Sequence, residues 1–208
     1  MLVLDGYFEM NDSEEPASKA ENATTEEYLR SVTISERRPH NGTIDLVPYD
    51  PNWPVYFYRH AERIRRALSE KVLQLEHVGS TSVPGLSAKP VIDMVLVVAD
   101  STDEASYVPP LESEGFVLRI REPTWFEHRL LKAPDIKGNL HVFSRGCGEI
   151  DRMLAFRDWL RTHDADRDLY ERAKQELAAR TWSDVEHYAQ AKSEVVVDIL
   201  QRAGAADV

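Results

Sequence analysis

The 208-residue chain contains one cysteine, Cys147, so it forms no internal disulfide and fits a reducing compartment. It has no apolar run that approaches the roughly 20 residues needed to span a bilayer. Its N-terminus also lacks the basic-then-apolar order of a signal peptide. These absences predict a cytoplasmic protein with no membrane partner.

A surplus of basic charge is missing as well, because 25 lysines and arginines face 36 aspartates and glutamates, for a net charge of −11. Most of the excess lies in residues 1–36, where nine acidic and two basic side chains give −7, so the rest of the chain carries −4. Binding to duplex nucleic acid needs a basic face that neutralises phosphates, and we exclude that class of partner. A small basic pocket for one phosphorylated ligand remains compatible with this balance.

The N-terminal stretch 1–38 mixes acidic and small polar residues with scattered apolar ones and shows no sustained period. We predict an acidic, largely flexible tail here. Within it, Thr25–Val32 is predicted as a short helix, because Glu26 and Glu27 suit a first helical turn. The folded domain is predicted over residues 39–208.

Hydrophobic periodicity predicts the elements of this domain. The predicted strands are Thr43–Val47, Val72–Val78, Val91–Val98, Phe116–Arg121, Trp125–Leu131 and Asn139–Ser144. The predicted helices are Pro54–Ser69, a part of Ser106–Ser113, Ile150–Arg161, Asp164–Arg180 and Asp184–Ala203. Pro109 and Pro110 are predicted to limit the second of these. The buried stripe of the fourth is predicted as Leu169, Ala173 and Leu177. Strands first and helices last predict an α+β domain with a mixed sheet and C-terminal helices packed on one face.

A phosphate-binding turn is predicted after the strand that ends at Val78. Gly79 lets the backbone approach a ligand closely because it has no Cβ. The next three residues place hydroxyl groups beside backbone amides, which is a common way to hold phosphate oxygens; they are Ser80, Thr81 and Ser82. Lys89 adds a positive charge a few residues later. A tight structural turn with a capping serine is the alternative.

Asp93 is a carboxylate within an otherwise apolar strand. Burying it costs several kcal/mol unless it is paired or bound to a cation. Three solutions stay open from the sequence: a divalent metal ion, an ion pair with Lys89 or an arginine, or several hydrogen bonds.

Several later residues have both a structural and a functional interpretation. His141, in a short apolar strand, is either a core histidine or part of the site. Arg129 either reaches the same pocket and holds an anion or is a surface charge. Lys174 and Lys192 lie on late helices, where most lysines are solvated, so we leave them out of the predicted site.

The segments His77–Leu86 (His-Val-Gly-Ser-Thr-Ser-Val-Pro-Gly-Leu) and Ala88–Asp93 (Ala-Lys-Pro-Val-Ile-Asp) resemble the signature of GrpB-like proteins. Further similar segments are Val47–Trp53, Asn139–Phe143, Phe156–Arg161 and the pair Tyr188 and Lys192. The resemblance runs from about Thr43 to Ala203.

This resemblance implies a nucleotidyltransferase-like fold, in which a Gly-Ser pair precedes a strand with two carboxylates and a later strand carries a third. Three such carboxylates hold two magnesium ions. Gly79 and Ser80 match the Gly-Ser pair and Asp93 matches the first carboxylate, but Val95 stands at the second position. The later strand offers His141.

Three functions follow as hypotheses. In the first, the protein binds a nucleotide or other phosphorylated small molecule and transfers a nucleotidyl group. Asp93 would hold a single Mg²⁺ or orient the acceptor hydroxyl, and His141 would act as a base. The phosphate ligands would be Gly79, Ser80, Thr81, Ser82, Lys89 and Arg129. In the second, the protein is a binding or regulatory module for a nucleotide or a coenzyme A-related ligand that lost catalysis with Val95. In the third, the role is structural and a salt bridge locks Asp93.

Overall fold

The computed structural model describes residues 27–34, 43–182 and 185–205, without the side chains of residues 185 and 186. Of the tail predicted over 1–38, residues 1–26 and 35–38 lie outside these ranges. Within the described residues no helix is long and apolar enough to cross a membrane.

Five strands form one mixed sheet in the order β1-β2-β5-β4-β3. Their bounds are Gln74–Val78 (β1), Ile92–Val98 (β2), Val117–Glu122 (β3), His128–Lys132 (β4) and Gly138–Ser144 (β5). Strands β2 and β5 are parallel, and every other neighbouring pair is antiparallel. The two strands predicted over Phe116–Arg121 and Trp125–Leu131 are confirmed as β3 and β4, which pair as an antiparallel hairpin.

The described residues form six α-helices: Trp53–Leu68 (α1), Glu104–Ser113 (α2), Gly148–Thr162 (α3), Asp164–Ala178 (α4), Val185–Gln190 (α5) and Ser193–Arg202 (α6). Alternate residues of a strand point to opposite faces. On one face Met94 and Leu140 pack with α1 and α2, and on the other Val95 and Phe143 pack with α3, α4 and α6. The predicted α+β class, with a mixed sheet and C-terminal helices packed on it, is confirmed.

Two predicted elements are wrong in extent. The described part of Thr43–Val47 is not a strand, since its one sheet-like contact is the bridge between Val47 and Ala88. The single helix predicted over Asp184–Ala203 is divided into α5 and α6 by a turn at 191–192. This turn directs Lys192 inward, where its Nζ lies 4.1 Å from the centre of the Tyr188 ring.

Helix α2 continues through Pro109 and Pro110, although these two prolines were predicted to limit it. A proline removes the amide hydrogen that would bond to the carbonyl four residues earlier. Pro110 therefore frees the carbonyl of Ser106, and Lys71 Nζ donates to that oxygen at 2.7 Å. The replacement donor explains why the helix tolerates one of the two prolines.

The buried stripe of α4 is displaced by one residue from the prediction. Leu169, Ala173 and Leu177 are only half-buried, whereas the fully buried positions are Tyr170, Lys174 and Ala178. The helix is rotated so that Lys174 faces the segment after β1, where a hydroxyl and a carbonyl accept its hydrogen bonds. The assignment of Lys174 to solvent is therefore wrong.

Residues 27–34 pack against the edge strand β3, although the sequence placed them in the tail. Residues 27–32 are helical, as predicted, and Leu29 and Val32 are buried. The amide of Ile34 donates to the carbonyl of Arg119 at 2.9 Å. The hydroxyl of Tyr28 donates to Glu122 Oε1 at 2.8 Å. This piece of the chain covers the β3 edge and belongs to the folded body.

Candidate functional site

The predicted phosphate turn and Asp93 lie together at one end of the strands, where β1 and β4 end and β2 and β5 begin. Val78 is opposite Asp93, Asp93 is opposite Asn139, and Asn139 is opposite Lys132. The four positions form one row across four strands. Residues paired in this way face the same side of a sheet, so the row presents Asp93, Asn139 and Lys132 together.

Gly79 brings the backbone against the Asp93 carboxylate. Its φ is +67°, in the left-handed region that side chains other than glycine rarely adopt. A Cβ added at this position would lie 2.7 Å from Asp93 Oδ2. Both facts require glycine, and they make the turn and Asp93 one unit.

The three hydroxyl groups after Gly79 have different roles. The Ser82 hydroxyl donates to the Gly79 carbonyl at 2.6 Å, and the Thr81 hydroxyl donates to the Val91 carbonyl at 3.2 Å. Both side chains are buried. Ser80 is half-buried, and its Oγ accepts a hydrogen bond from Lys174 Nζ at 3.3 Å. Thr81 and Ser82 therefore shape the turn, and Ser80 is the hydroxyl that faces the site.

His77 anchors this turn. Its Nε2 lies 3.0 Å from Thr81 Oγ1, and its ring stacks on Phe57 with the centroids 5.0 Å apart. Because Thr81 already donates to Val91, the histidine nitrogen acts as the donor. Burial lowers the pKa of His77 to about 4, so the ring is neutral near pH 7.

Asp93 is held by hydrogen bonding and partial exposure. Its side chain is 24% exposed, and Asn139 Nδ2 donates to its Oδ1 at 2.7 Å. Lys132 Nζ in turn donates to Asn139 Oδ1 at 2.6 Å. In the described part of the chain the one basic group within 4.0 Å of this carboxylate is His141, at 4.0 Å. Of the three solutions left open for Asp93, the ion pair with Lys89 or an arginine is therefore not formed there.

The described residues do not fit a two-magnesium centre. They contain no group of three or more His, Cys, Asp or Glu side chains that could hold a metal ion. Val95, at the position of the second carboxylate, is on the same face of β2 as Asp93 and is completely buried in the apolar cluster with α3. No reaction step through two metal ions follows from these residues, and a single Mg²⁺ at Asp93 stays a prediction.

His141 is the inner neighbour of Asp93 and the end of a buried polar chain. Glu122 Oε2 lies 2.6 Å from His128 Nδ1, and His128 Nε2 lies 3.0 Å from His141 Nδ1. All three side chains are at most 3% exposed. His128 and Glu122 were not predicted as site residues. His128 could have been found from the alternation of side chains along β4. It lies two residues before Leu130, so both face the same side, and Leu130 pairs with His141.

Arg129 lies on the opposite face of the sheet from Asp93, which corrects its predicted place in the pocket. Its neighbour Leu130 pairs with His141, so Arg129 itself faces α2. There Arg129 Nε donates to Glu104 Oε1 at 2.6 Å and Nη1 donates to the Glu127 carbonyl at 2.8 Å. Arg129 joins β4 to α2 and does not reach the site.

Two lysines that sequence reasoning left out are buried, and one of them, Lys174, lies beside the turn. Lys174 is 1% exposed, donates to the Ser87 carbonyl and lies 4.8 Å from the centre of the Tyr170 ring. Lys192 is 3% exposed and lies against the ring of Tyr188. Lys89 Nζ, the predicted site lysine, approaches the same Tyr188 ring at 5.8 Å.

A shallow depression of about 300 Å³ lies at the other end of β1 and β2. Its lining residues are Leu73, Gln74, Val97, Arg145, Gly146, Cys147, Ile150 and Asp151. None of the predicted site residues is among them. It is thus a separate surface feature, about four residues along β2 from Asp93.

Acid is expected to destabilise the fold through its buried histidines. Burial lowers the pKa of His128 to about 3 and that of His77 to about 4, against about 6.5 in an unfolded chain. Between these values the unfolded state binds more protons, so the free energy of unfolding falls as pH falls from 6.5 toward 4. Each histidine contributes a slope of up to about 1.4 kcal/mol per pH unit.

Urea unfolding at pH 7.5, 6 and 5 measures this slope, and His128→Phe is expected to make it shallower because one titrating group is gone. Protonation of Glu122 also lowers the free energy of unfolding, but at lower pH. Although burial opposes it, the hydrogen bond from His128 lowers the pKa of Glu122 to about 2. An unfolding free energy that stays constant between pH 7.5 and 5 would contradict the assignment of neutral buried histidines.

The family comparison covers the whole of this site. The model of the GrpB family, described as GrpB protein, matches residues 43–202. The chain belongs to the GrpB family. This confirms the resemblance read from His77–Asp93, and the matched range includes Gly79, Asp93 and His141 as well as both buried lysines.

Similar proteins agree with this assignment. The UPF0157 protein BH1888 of Halalkalibacterium halodurans is 58% identical over 192 residues, which is 91% of this chain and 98% of that protein. The crystal structure of the conserved protein GrpB from Enterococcus faecalis superposes with a TM-score of 0.66 at 29% identity, over 76% of this chain and 96% of that one. A dephospho-CoA kinase of Mycolicibacterium paratuberculosis is 26% identical over 196 residues, which is 82% of this chain but 48% of the kinase.

Proposed function

We propose that this GrpB-family protein binds a nucleotide or another phosphorylated small molecule at the site formed by Gly79, Ser80, Asp93 and the lysines beside them. The observation that carries the proposal is Lys174. A lysine that is 1% exposed, with its Nζ 3.3 Å from the Ser80 hydroxyl, places a positive charge directly at the turn whose backbone approaches Asp93.

The chemistry of these groups suits phosphate oxygens. Lysine ammonium groups act on phosphate as point charges with three donors, and serine hydroxyls add a further donor. Lys174 donates to Ser80 in the turn, and Lys132 reaches Asp93 from the β4 side through Asn139. Such a concentration of lysines contrasts with the net charge of −11 of the whole chain. It supports a local anion site in an otherwise acidic protein.

Transfer of a group to an acceptor is the second candidate function. The observation that favours it is the pair of acceptors beside the turn: Asp93 Oδ1 and His141 Nε2, 4.0 Å apart. Either atom is suited to accept a proton from an attacking hydroxyl. Because the second carboxylate is replaced by Val95, the alternative of a binding or regulatory module without turnover stands beside it.

The first ligands to test follow from the similar proteins. One relative is a dephospho-CoA kinase, although this chain spans only about half of it. We therefore place adenine nucleotides and coenzyme A precursors at the head of a thermal-shift screen, followed by aminoglycosides. Each ligand is tested with and without Mg²⁺, on the wild type and on Asp93→Asn. Binding at 100 times Kd stabilises the native state by about 2.7 kcal/mol.

The pattern of shifts separates the candidates. A shift that needs Mg²⁺ and is lost in Asp93→Asn supports a metal-nucleotide site and group transfer. A shift that ignores Mg²⁺ and survives the substitution supports the binding module. If no phosphorylated ligand raises the melting temperature at millimolar concentration, the proposal is wrong.

A further inference from the structure

A chain of hydrogen-bonded side chains runs across one face of the sheet, from β3 over β4 to β5, and ends at the site. Glu122 Oε2 is 2.6 Å from His128 Nδ1, and His128 Nε2 is 3.0 Å from His141 Nδ1. The remaining nitrogen, His141 Nε2, is buried and has no hydrogen-bond partner among the described residues. The nearest carboxylate oxygen is Asp93 Oδ1, at 4.0 Å.

The direction of the hydrogen bonds in this chain follows from its first member. An ionised carboxylate has no proton to donate, so Glu122 accepts and His128 Nδ1–H donates. A neutral His128 then offers the lone pair of Nε2, and His141 must donate to it from Nδ1–H. A neutral His141 is left with a bare Nε2. The burial of His128, which lowers its pKa to about 3, supports the neutral form.

The geometry at the end of the chain leaves two acceptors facing each other. Both His141 Nε2 and Asp93 Oδ1 carry lone pairs and no proton, and they are 4.0 Å apart. One donor atom placed about 2.8 Å from each of them spans this gap at an angle close to a right angle. Such an atom must supply two hydrogens, as an amino group or a water molecule does.

We propose that Glu122 and His128 are positioning residues that hold His141 as its Nδ1–H tautomer, so that His141 Nε2 and Asp93 Oδ1 together bind a group with two polar hydrogens. The proposal deepens the proposed function, on which it rests for the identity of the ligand. The tautomer itself is a property of the protein alone. A proton fixed on His141 Nδ1 is informative, because the hydrogen bond to His128 is what fixes it there and a free imidazole has no such partner.

The tautomer is measured directly on the full chain labelled with ¹⁵N at histidine, by long-range ¹H–¹⁵N correlation without ligand near pH 7. The expected result is a protonated Nδ1 and an unprotonated Nε2 for His141. In His128→Phe the ring that stacks on Phe143 is kept but the acceptor is removed, and His141 is expected to lose its fixed Nδ1–H form. Tyr28→Phe, which removes only a hydroxyl group from Glu122, is the matched control and keeps the wild-type tautomer.

A wild-type His141 that carries its proton on Nε2, or on both nitrogens, overturns the proposal even if every variant fails to fold. When a phosphorylated ligand from the screen is added, the Nε2 resonance of His141 is expected to move, and His128→Phe is expected to bind that ligand about tenfold more weakly. Failure to find any such ligand contradicts the proposed function but leaves the ligand-free tautomer measurement intact. The two failures are therefore distinguishable.

Discussion

Replacing Gly79 by alanine is expected to lower the free energy of unfolding by about 2 to 5 kcal/mol. The left-handed conformation, with φ at +67°, costs an alanine about 1 to 2 kcal/mol. The new Cβ would lie 2.7 Å from Asp93 Oδ2, so the carboxylate or the turn must move, which adds about 1 to 3 kcal/mol. Urea unfolding with linear extrapolation measures the total.

Gly85→Ala is the matched control for this substitution. Gly85 has a similar φ of +82°, but an added Cβ would meet nothing within 4 Å, so only the conformational cost is expected. The difference between the two variants isolates the contact with Asp93. In an Asp93→Ala background the Oδ2 contact is absent and only the Cβ at position 93, 3.1 Å from the added Cβ, remains, so the cost of Gly79→Ala should fall, which a double-mutant cycle reports. Equal losses at Gly79 and Gly85 would show that the turn and Asp93 are not in close contact.

Replacing Lys174 by glutamine is expected to weaken the binding of a phosphorylated ligand about 10- to 100-fold. A hydrogen bond to a charged group contributes about 1.5 to 3 kcal/mol, and 1.4 kcal/mol corresponds to a factor of ten in Kd. Glutamine keeps a polar group that can donate to the Ser87 carbonyl, so the variant removes the charge while it keeps a donor. Isothermal titration calorimetry with the ligand that gives the largest thermal shift measures the change.

Arg172→Gln is the control for Lys174→Gln. Arg172 is on the same helix, two residues earlier, and its side chain is exposed, so the charge of the protein changes equally outside the site. We expect its Kd to stay within about twofold of the wild type, in line with the screening of exposed charges. If both variants weaken binding equally, the ligand responds to overall charge and Lys174 has no local role.

The framework of the fold was accessible from the sequence because its periodic segments are long. The strand over Ile92–Val98 and the helix over Trp53–Leu68 follow directly from apolar periodicity, and the hairpin of β3 and β4 from two apolar runs with a short connection. Pro109 and Pro110 misled the prediction of α2 because the lysine that compensates, Lys71, is distant in sequence. Tertiary contacts of this kind leave no local signal.

The site was predicted in part, for reasons that individual residues show. Gly79 and Asp93 stand out because a glycine before a polar run and a carboxylate in an apolar strand are both locally unusual. Lys174 does not, since a lysine in a mostly polar stretch of a helix, followed by Gln175 and Glu176, is expected to be solvated until its partners at Ser80 and Ser87 are known. Arg129 was wrongly placed in the pocket because the strand pairing is not visible in the sequence. Leu130 is opposite His141, so Arg129 faces the other side of the sheet.

The central claim is that a phosphorylated ligand binds at the turn after β1, and chemical-shift mapping tests it most directly. The ¹⁵N-labelled full chain is titrated with ATP and with dephospho-CoA, and the shifted backbone amides are assigned. The account predicts that the largest changes occur at Gly79, Ser80, Ser87 and Asp93. Changes confined to the depression around Cys147, or to the opposite face around Arg129, would contradict it.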